Sequence, residues 1–266
     1  MAQPTYGARV IVLRKTKLGE SDLILTLLAQ DGSQLRAVAK GARRPTSTFA
    51  ARLELYSQAE VLLARGRSLD IVKEARTVES NERARADLEH ASGAAPMAEL
   101  LSRATQADLE NPRLFPLTQT ALESLGRADA ERVPQVCAAH LLKSFAFLGV
   151  RPSLAACSCC GAPLPAAGGL TAFSYREGGA VCEECRRGCE AVLLPARAVE
   201  FAHELLHSTF LQVETAPTRT SCALEVLQLC DQWSREHLGA RLKSLSFLLT
   251  CGLFDGAGGA PVQKAR

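Results

Sequence analysis

Cys157-Ser-Cys159-Cys160-Gly161 is answered further along the chain by Cys182-Glu183-Glu184-Cys185. Two CxxC pairs about twenty residues apart have the spacing of a four-thiolate zinc site, in which each pair grips one metal ion from a tight turn. With Cys157, Cys160, Cys182 and Cys185 all bound, no position is left for water or substrate, so such a zinc is structural. The competing readings are disulfides or free buried thiols. Paired CxxC without a secretory signal favours metal. The register stays open, because Cys159 or Cys189 could replace a neighbour.

The net charge of +3 hides an asymmetry. Residues 1–76 carry 13 Lys and Arg against 7 Asp and Glu, whereas the other 190 residues carry 18 against 21. The basic first third points to an anionic partner. No basic segment followed by an apolar core opens the chain, so no signal peptide is expected. No apolar run approaches the roughly 20 residues needed to span a membrane. Ten cysteines in such a chain imply a reducing compartment, and a cytoplasmic protein is expected. Cys137, Cys222, Cys230 and Cys251 lie in apolar helical patterns and read as small core residues.

Residues 6–76 read as strands: Arg9–Leu13, Leu23–Ala29, Gln34–Ala39 after the Asp31-Gly32 hairpin signal, Leu53–Ala64, and Leu69–Ala75 after Arg65-Gly66-Arg67. Five short strands with no long helix among them predict a small barrel of the OB type, with an open antiparallel sheet as the plain alternative. Its loops hold the charge. Arg14, Lys15 and Lys17 follow the first strand, Lys40, Arg43 and Arg44 follow the third, and Arg36 lies on the strand leading into that second loop. Basic loops on a barrel suit a phosphate-tracking groove, a solvated surface being the bland reading. Tyr6, Phe49 and Tyr56 are the few aromatics nearby, so binding would rest more on charge than on stacking.

After Ser80 the pattern becomes helical, over Asn81–His90, Met97–Leu109 and Leu114–Leu125, with Pro96 and Pro112 as helix starts or breaks. Glu131–Leu148 has one mostly apolar face, on which His140 reads as an interior residue. Helices are expected from Pro195 to Val213, from Ser221 to Leu238 and over Ala240–Leu249, and the Gly/Ala-rich end 256–266 as disordered.

His203-Glu204-Leu205-Leu206-His207 matches HExxH on a helix, where two histidines share a face and can bind zinc with the Glu as base. A peptidase would need a third ligand, for which Glu225 or Glu214 is the nearby candidate. A helix rich in His and Glu also yields the match by chance. Zinc deaminase chemistry lacks its His-x-Glu partner.

The order of parts resembles the RecO family of bacterial recombination and repair proteins. The similarity is carried by Val10-Ile11-Val12-Leu13-Arg14, Gly19-Glu20-Ser21-Asp22-Leu23-Ile24, residues 37–45 (AVAKGARRP) and Gly66-Arg67-Ser68-Leu69-Asp70. Phe147-Leu148-Gly149-Val150-Arg151-Pro152 running into Cys157-x-x-Cys160-Gly161, Phe173-Ser174 before Gly178-Gly179 and Cys182-x-x-Cys185, and Leu242-Lys243-Ser244 complete it. The resemblance implies an α+β chain: an OB-type barrel over 1–78 and a helical domain over 79–266 with a zinc-binding insertion at 153–192. It also implies a non-enzymatic mediator that binds single- and double-stranded DNA and anneals strands coated with single-strand-binding protein. Such proteins contact the C-terminal tail of that protein and, with RecR, help load RecA onto gapped DNA, at the nucleoid. An adaptor that barely touches DNA is the other non-enzymatic reading.

Overall fold

In the computed structural model, which describes residues 4–164 and 169–254, alternating apolar side chains in the first third close a five-stranded barrel. Its strands are β1 (Thr5–Leu18), β2 (Asp22–Ala29), β3 (Gln34–Ala39), β4 (Gln58–Ala64) and β5 (Asp70–Glu79), in the order β1-β2-β3-β5-β4. A one-turn helix, α1 (Thr48–Arg52), stands between β3 and β4, started by the Ser47 hydroxyl accepting from the Phe49 N–H. The ladder closes through β4 against β1 and a short parallel contact of Ala37–Val38 with Asp70–Ile71. Val10, Val12, Leu25, Leu27, Val61, Leu63 and Val72 fill the interior. Each such buried side chain contributes about 1.5–3 kcal/mol relative to exposure.

Two expectations for this region change. Residues Arg14–Lys17 are not a loop: β1 continues to Leu18, paired with β2 from Arg14↔Thr26 to Leu18↔Asp22 beyond a bulge between Val12 and Arg14. Charged side chains are tolerated there because the pairing partner supplies the backbone hydrogen bonds. Nor do residues 53–57 belong to the fourth strand. Tyr56 sits in the left-handed region at φ 68°, and its N–H and the Ser57 carbonyl bond to Val12, so β4 starts at Gln58.

The chain divides into two compact units, 1–127 and 128–266. In the first, α2 (Leu88–Ala104) packs on β1 and β2, and α3 (Leu114–Arg127) packs on α2. Ile11 and Leu28 face each other across the strands and are buried on the outside of the barrel where α2 lies. Pro96 neither starts nor ends a helix; it is buried inside α2, whose flanking Ala94, Met97 and Ala98 are also buried. The segment after α2 grips the β2–β3 hairpin: the Gln34 side-chain amide donates to the Ser102 and Thr105 carbonyls, and the Asn111 N–H donates to the Asp31 carbonyl.

In the second unit α4 (Val133–Phe147) is central. It is buried all round rather than on one face, with Gln135, His140 and Ser144 fully buried among its apolar residues. Burial lowers the His140 pKa to about 3, which keeps the ring neutral. The small three-stranded sheet β7-β6-β8 follows, from β6 (Leu170–Ser174), β7 (Gly179–Ala180) and β8 (Val192–Pro195), with a one-turn helix α5 (Glu183–Arg186). The helix expected up to Val213 is two helices, α6 (Ala196–His207) and α7 (Phe210–Thr215). The break comes from Thr209, which caps α7 in a reciprocal box with Gln212. Then α8 (Thr220–Leu238) packs on α4 and α6, and α9 (Lys243–Thr250) packs on α8. The tail 256–266 lies outside the described residues. No described helix is long and apolar enough to cross a membrane.

Gly32 fixes how the hairpin meets the segment after α2. Its φ is +83°, and a Cβ there would fall 1.9 Å from the Asn111 carbonyl oxygen. Gly32→Ala is expected to cost about 1–3 kcal/mol, read as a lower denaturation midpoint of the full chain. Faster hydrogen exchange should appear at Asn111 and Gln34, whose N–H groups make the joining bonds.

Candidate metal centre and basic barrel face

The first CxxC turns sharply because the Gly161 N–H donates to the Cys157 carbonyl at 2.8 Å, and the Cys157 N–H donates to the Ala162 carbonyl at 2.8 Å. The second opens α5, with Cys182 at its N-cap and the Arg186 N–H donating to the Cys182 carbonyl at 2.9 Å. These two turns bring the sulfurs of Cys157, Cys160, Cys182 and Cys185 within 4.8 Å of one another. Cys159 and Cys189 are not in that group, although Cys189 packs on the same small apolar cluster.

The surroundings treat the sulfurs unequally. The backbone N–H of Cys182, with those of Cys160 and Cys159, points at the Cys157 sulfur and brings its pKa down to about 6, against burial that raises it. Cys185 is pushed the other way, well above the ordinary thiol range, by hydrogen bonding to Cys182, Cys160 and Cys157. Four thiolates this close cannot all ionise beside one another unless a cation sits among them. The donor set therefore fits one divalent ion that favours sulfur, with every position of a tetrahedron filled.

A built framework holds the module. The Ser153 N–H donates to the Gly178 carbonyl and the Ala180 N–H to the Ser153 carbonyl, an approach open only to glycine at 179, where a Cβ would lie 2.2 Å from the Ser153 oxygen. Phe173, fully buried, meets Trp233 of α8 edge-on at 6.0 Å, and the Trp233 indole donates to the Val150 carbonyl at 2.9 Å. His237 of α8 donates to the Tyr175 carbonyl at 2.8 Å.

On the barrel, the basic residues separate by the pleat. Arg14, Thr26 and Arg36 face one another across β1, β2 and β3. The alternate row, Lys15, Leu25 and Ala37, begins on the core side, and Lys15 is drawn into an ion pair with Glu54 at 2.8 Å. Lys17 stands opposite Leu23, which pairs with Ala39. The turn after β3 is fastened to the β1–β2 turn. The Gly41 N–H donates to the Asp22 carboxylate at 2.7 Å, which with Ser21 holds that carboxyl below its usual range. The Arg43 guanidinium donates to the Gly19 and Glu20 carbonyls at 3.1 and 2.8 Å. Lys17, Lys40, Arg43 and Arg44 are thereby gathered at one end of the β1–β2–β3 face, and all four are exposed.

Arg65 and Arg67, expected from the sequence only to turn the chain, belong beside this face. They sit in the β4–β5 turn, just before Asp70 pairs with Ala37 of β3. Arg65 lies over the Tyr6 ring at 5.0 Å, and the Tyr6 hydroxyl bonds to the Asp70 carboxylate. The Arg-Gly-Arg tripeptide was the available signal.

HExxH does not assemble a metal site. His203 and His207 share a face of α6 with rings 4.2 Å apart, but Arg151 bonds to His207 Nε2 at 2.7 Å while Nδ1 donates to the His203 carbonyl. Glu204 pairs with Arg219, and Glu225 with Arg197. Among the described residues the four cysteines are the one group of three or more such ligands able to hold a metal ion.

Two family models match the chain: one described as the N-terminal part of recombination protein O over residues 1–81, and one described as its C-terminal part over 85–246. A DNA repair protein RecO from Desulfitobacterium hafniense (strain DSM 10664 / DCB-2) is 38% identical over 181 residues, 68% of this chain and 64% of the relative. One from Roseiflexus sp. (strain RS-1) is 35% identical over 202 residues, 76% of this chain and 69% of the relative. One from Symbiobacterium thermophilum is 32% identical over 246 residues, 92% of this chain and 97% of the relative. The chain thus spans 64% of the length of the Desulfitobacterium relative.

Metal loss should be visible at Trp233, the only tryptophan of the chain. Chelation, or Cys182→Ser, is expected to take metal content from one ion per chain to none and to shift Trp233 emission as Phe173 loosens, because binding and folding of such a module are coupled. Full metal content in Cys182→Ser would show that this sulfur is not a ligand.

Proposed function

Because this chain belongs to the RecO family, we propose that it is a DNA repair and recombination mediator that binds DNA through the barrel and performs no chemical step. The observation that carries the reading is the β1–β2–β3 face. Arg14 and Arg36 are exposed on its outward row and Lys17, Lys40 and Arg44 are exposed at its end, and none of the five makes a side-chain ion pair or hydrogen bond among the described residues. Uncommitted cations on one face of an OB-type barrel are what a sugar–phosphate backbone needs, and they bind every sequence alike. Lys15 and Arg43 take lesser parts, since Glu54 and the Gly19 and Glu20 carbonyls already engage them. Arg65 and Arg67 extend the path along the edge of β3.

Residues 1–78 then act as the nucleic-acid-binding domain and 79–266 as the helical domain, with the insertion 153–192 held by zinc. Zinc is the ion assigned because four thiolates with no open position is its structural arrangement. The ion supplies charge compensation and folding energy to Cys157, Cys160, Cys182 and Cys185, and nothing reacts on it. By family membership the protein binds single- and double-stranded DNA, anneals strands covered by single-strand-binding protein, and acts with RecR in loading RecA. We place the contact with the acidic tail of single-strand-binding protein on the helical domain, and the protein in the cytoplasm at the nucleoid.

Salt dependence tests the reading. Each lost phosphate contact on a single strand flattens the log–log salt slope by about 0.7. Arg36→Ala combined with Arg44→Ala is expected to weaken binding to all sequences equally and flatten the slope by about 1.4, with slower annealing and no cleavage of the strand. These two are the better pair because Arg43→Ala also cuts the bonds joining the two turns. An unchanged slope and annealing rate would move DNA off this face, and a wild-type chain that binds no DNA would leave only the adaptor.

A further inference from the structure

The barrel has a second feature suited to an anionic chain, on the side away from Arg36. Around the closed barrel β4 lies between β1 and β5, so its outer surface is turned from the β2–β3 surface. An open groove of ≈ 1190 Å³ runs there. Two cross-strand rows contribute to it: Gly7, Leu62 and Glu74, then Arg9, Glu60 and Arg76. Val10, Val61 and Leu63, which alternate with these residues, belong to the core, so the rows point outward. Arg76 pairs with Glu60 at 2.7 Å and, with Arg9, keeps that carboxylate ionised. Arg52 and Lys73 also line the groove, the Arg52 guanidinium held there by donating through one nitrogen to the Ala75 carbonyl at 3.2 Å, with Phe49 half-buried beside them. Its charged lining is thus four cations against two carboxylates.

Gly7 is the telling residue. It sits inside a strand, where glycine is unfavourable, and a Cβ built on it meets nothing within 4 Å. No turn or close packing asks for a glycine here, and glycine in a strand interior often marks a place where another chain approaches the backbone. The missing side chain keeps the groove open next to Leu62.

We propose that this groove holds a second single strand of nucleic acid, with phosphates along Arg52 and Lys73 and a base against Phe49, so that the barrel carries two strands on opposite sides. The inference rests on the nucleic-acid reading of the β2–β3 face and deepens it. A chain that holds two strands at once brings complementary strands together within one complex, which a single strand-binding face does not. The carboxylates of Glu60 and Glu74 favour nucleic acid over an acidic peptide. Base amino groups donate to carboxylates, while an acidic peptide would bring further carboxylates against them.

The test titrates the full-length chain with a short deoxycytidine oligonucleotide and counts strands bound per chain, alongside annealing of complementary strands. The wild type is expected to bind two strands. Gly7→Ile, which fills open space with a good strand former, is expected to bind one, as is Arg52→Ala combined with Lys73→Ala. In both, affinity for the remaining strand should change less than about twofold while annealing falls about tenfold. Should Gly7→Ile fail to fold, the Arg52/Lys73 pair decides. Groove variants that still bind two strands and anneal normally would overturn the proposal. A wild type that binds one strand yet anneals would overturn it and leave the proposed function standing, whereas a wild type that binds none would remove both. Displacement of the second strand by none of these variants, but uptake of polyglutamate in the groove, would reassign it to acidic peptides.

Discussion

Closure of the barrel is the constraint on which the first unit depends. β5 must run antiparallel to β4 and parallel to β3, and only a short contact at Ala37–Val38 makes the second join. Once the ladder is closed, the period-two pleat sorts every strand residue into an interior that has to be apolar and an exterior that need not be. That sorting frees the outward positions of β1, β3 and β5 to carry arginine and lysine without cost to the core. Bulges at Val12/Arg14 in β1 and in the β4–β5 pairing supply the bending that closure demands.

The cysteine module solves a different problem. Three strands, one of only two residues, enclose little: its buried apolar cluster is Cys157, Ala172 and Val181 with partly buried neighbours. A sheet of that size does not hold itself together, so it depends on the four-sulfur centre at one end and on the Phe173–Trp233 contact at the other. Each alone leaves the other half loose.

The barrel and the four-sulfur group are legible in the sequence because each is written in short-range pattern. Alternating Val, Ile and Leu fixes which residues face inward, and the CxxC spacing fixes which sulfurs meet. Arg14–Lys17 is strand and not loop because a pleated strand can be charged on both sides beyond the core, so charge there does not signal exposed backbone. The missed break at Thr209 and the continuation of α2 through Pro96 follow the same logic: a capping box and tertiary burial overrode a propensity argument. HExxH is the case in which the environment, as the chance reading of the motif expects, overrules the spacing. The His203 and His207 spacing is right for metal, but Arg151 occupies the nitrogen that a ligand would use. Arg151 lies 52 residues before His203, beyond the reach of any local pattern.

Counting cations is therefore a poor guide to what they do. Of the seven basic residues read from the sequence, Lys15 is neutralised by Glu54 and Arg43 joins two turns through main-chain carbonyls, while Arg14, Arg36, Lys17, Lys40 and Arg44 stay uncommitted. Arg43 in its place still matters to a ligand. By drawing the 19–21 turn against the 40–44 turn, it sets the spacing of Lys17, Lys40 and Arg44. An isolated flexible loop would lose side-chain and backbone freedom when it met a phosphate chain, a cost of about 1–2 kcal/mol per ordered residue. Here Asp22 and Arg43 have already ordered both turns in the folded protein. On the proposed reading, Lys40 and Arg44 on a tethered turn would bind phosphate more tightly than on a free one, with no added contact, because the entropy was lost on folding.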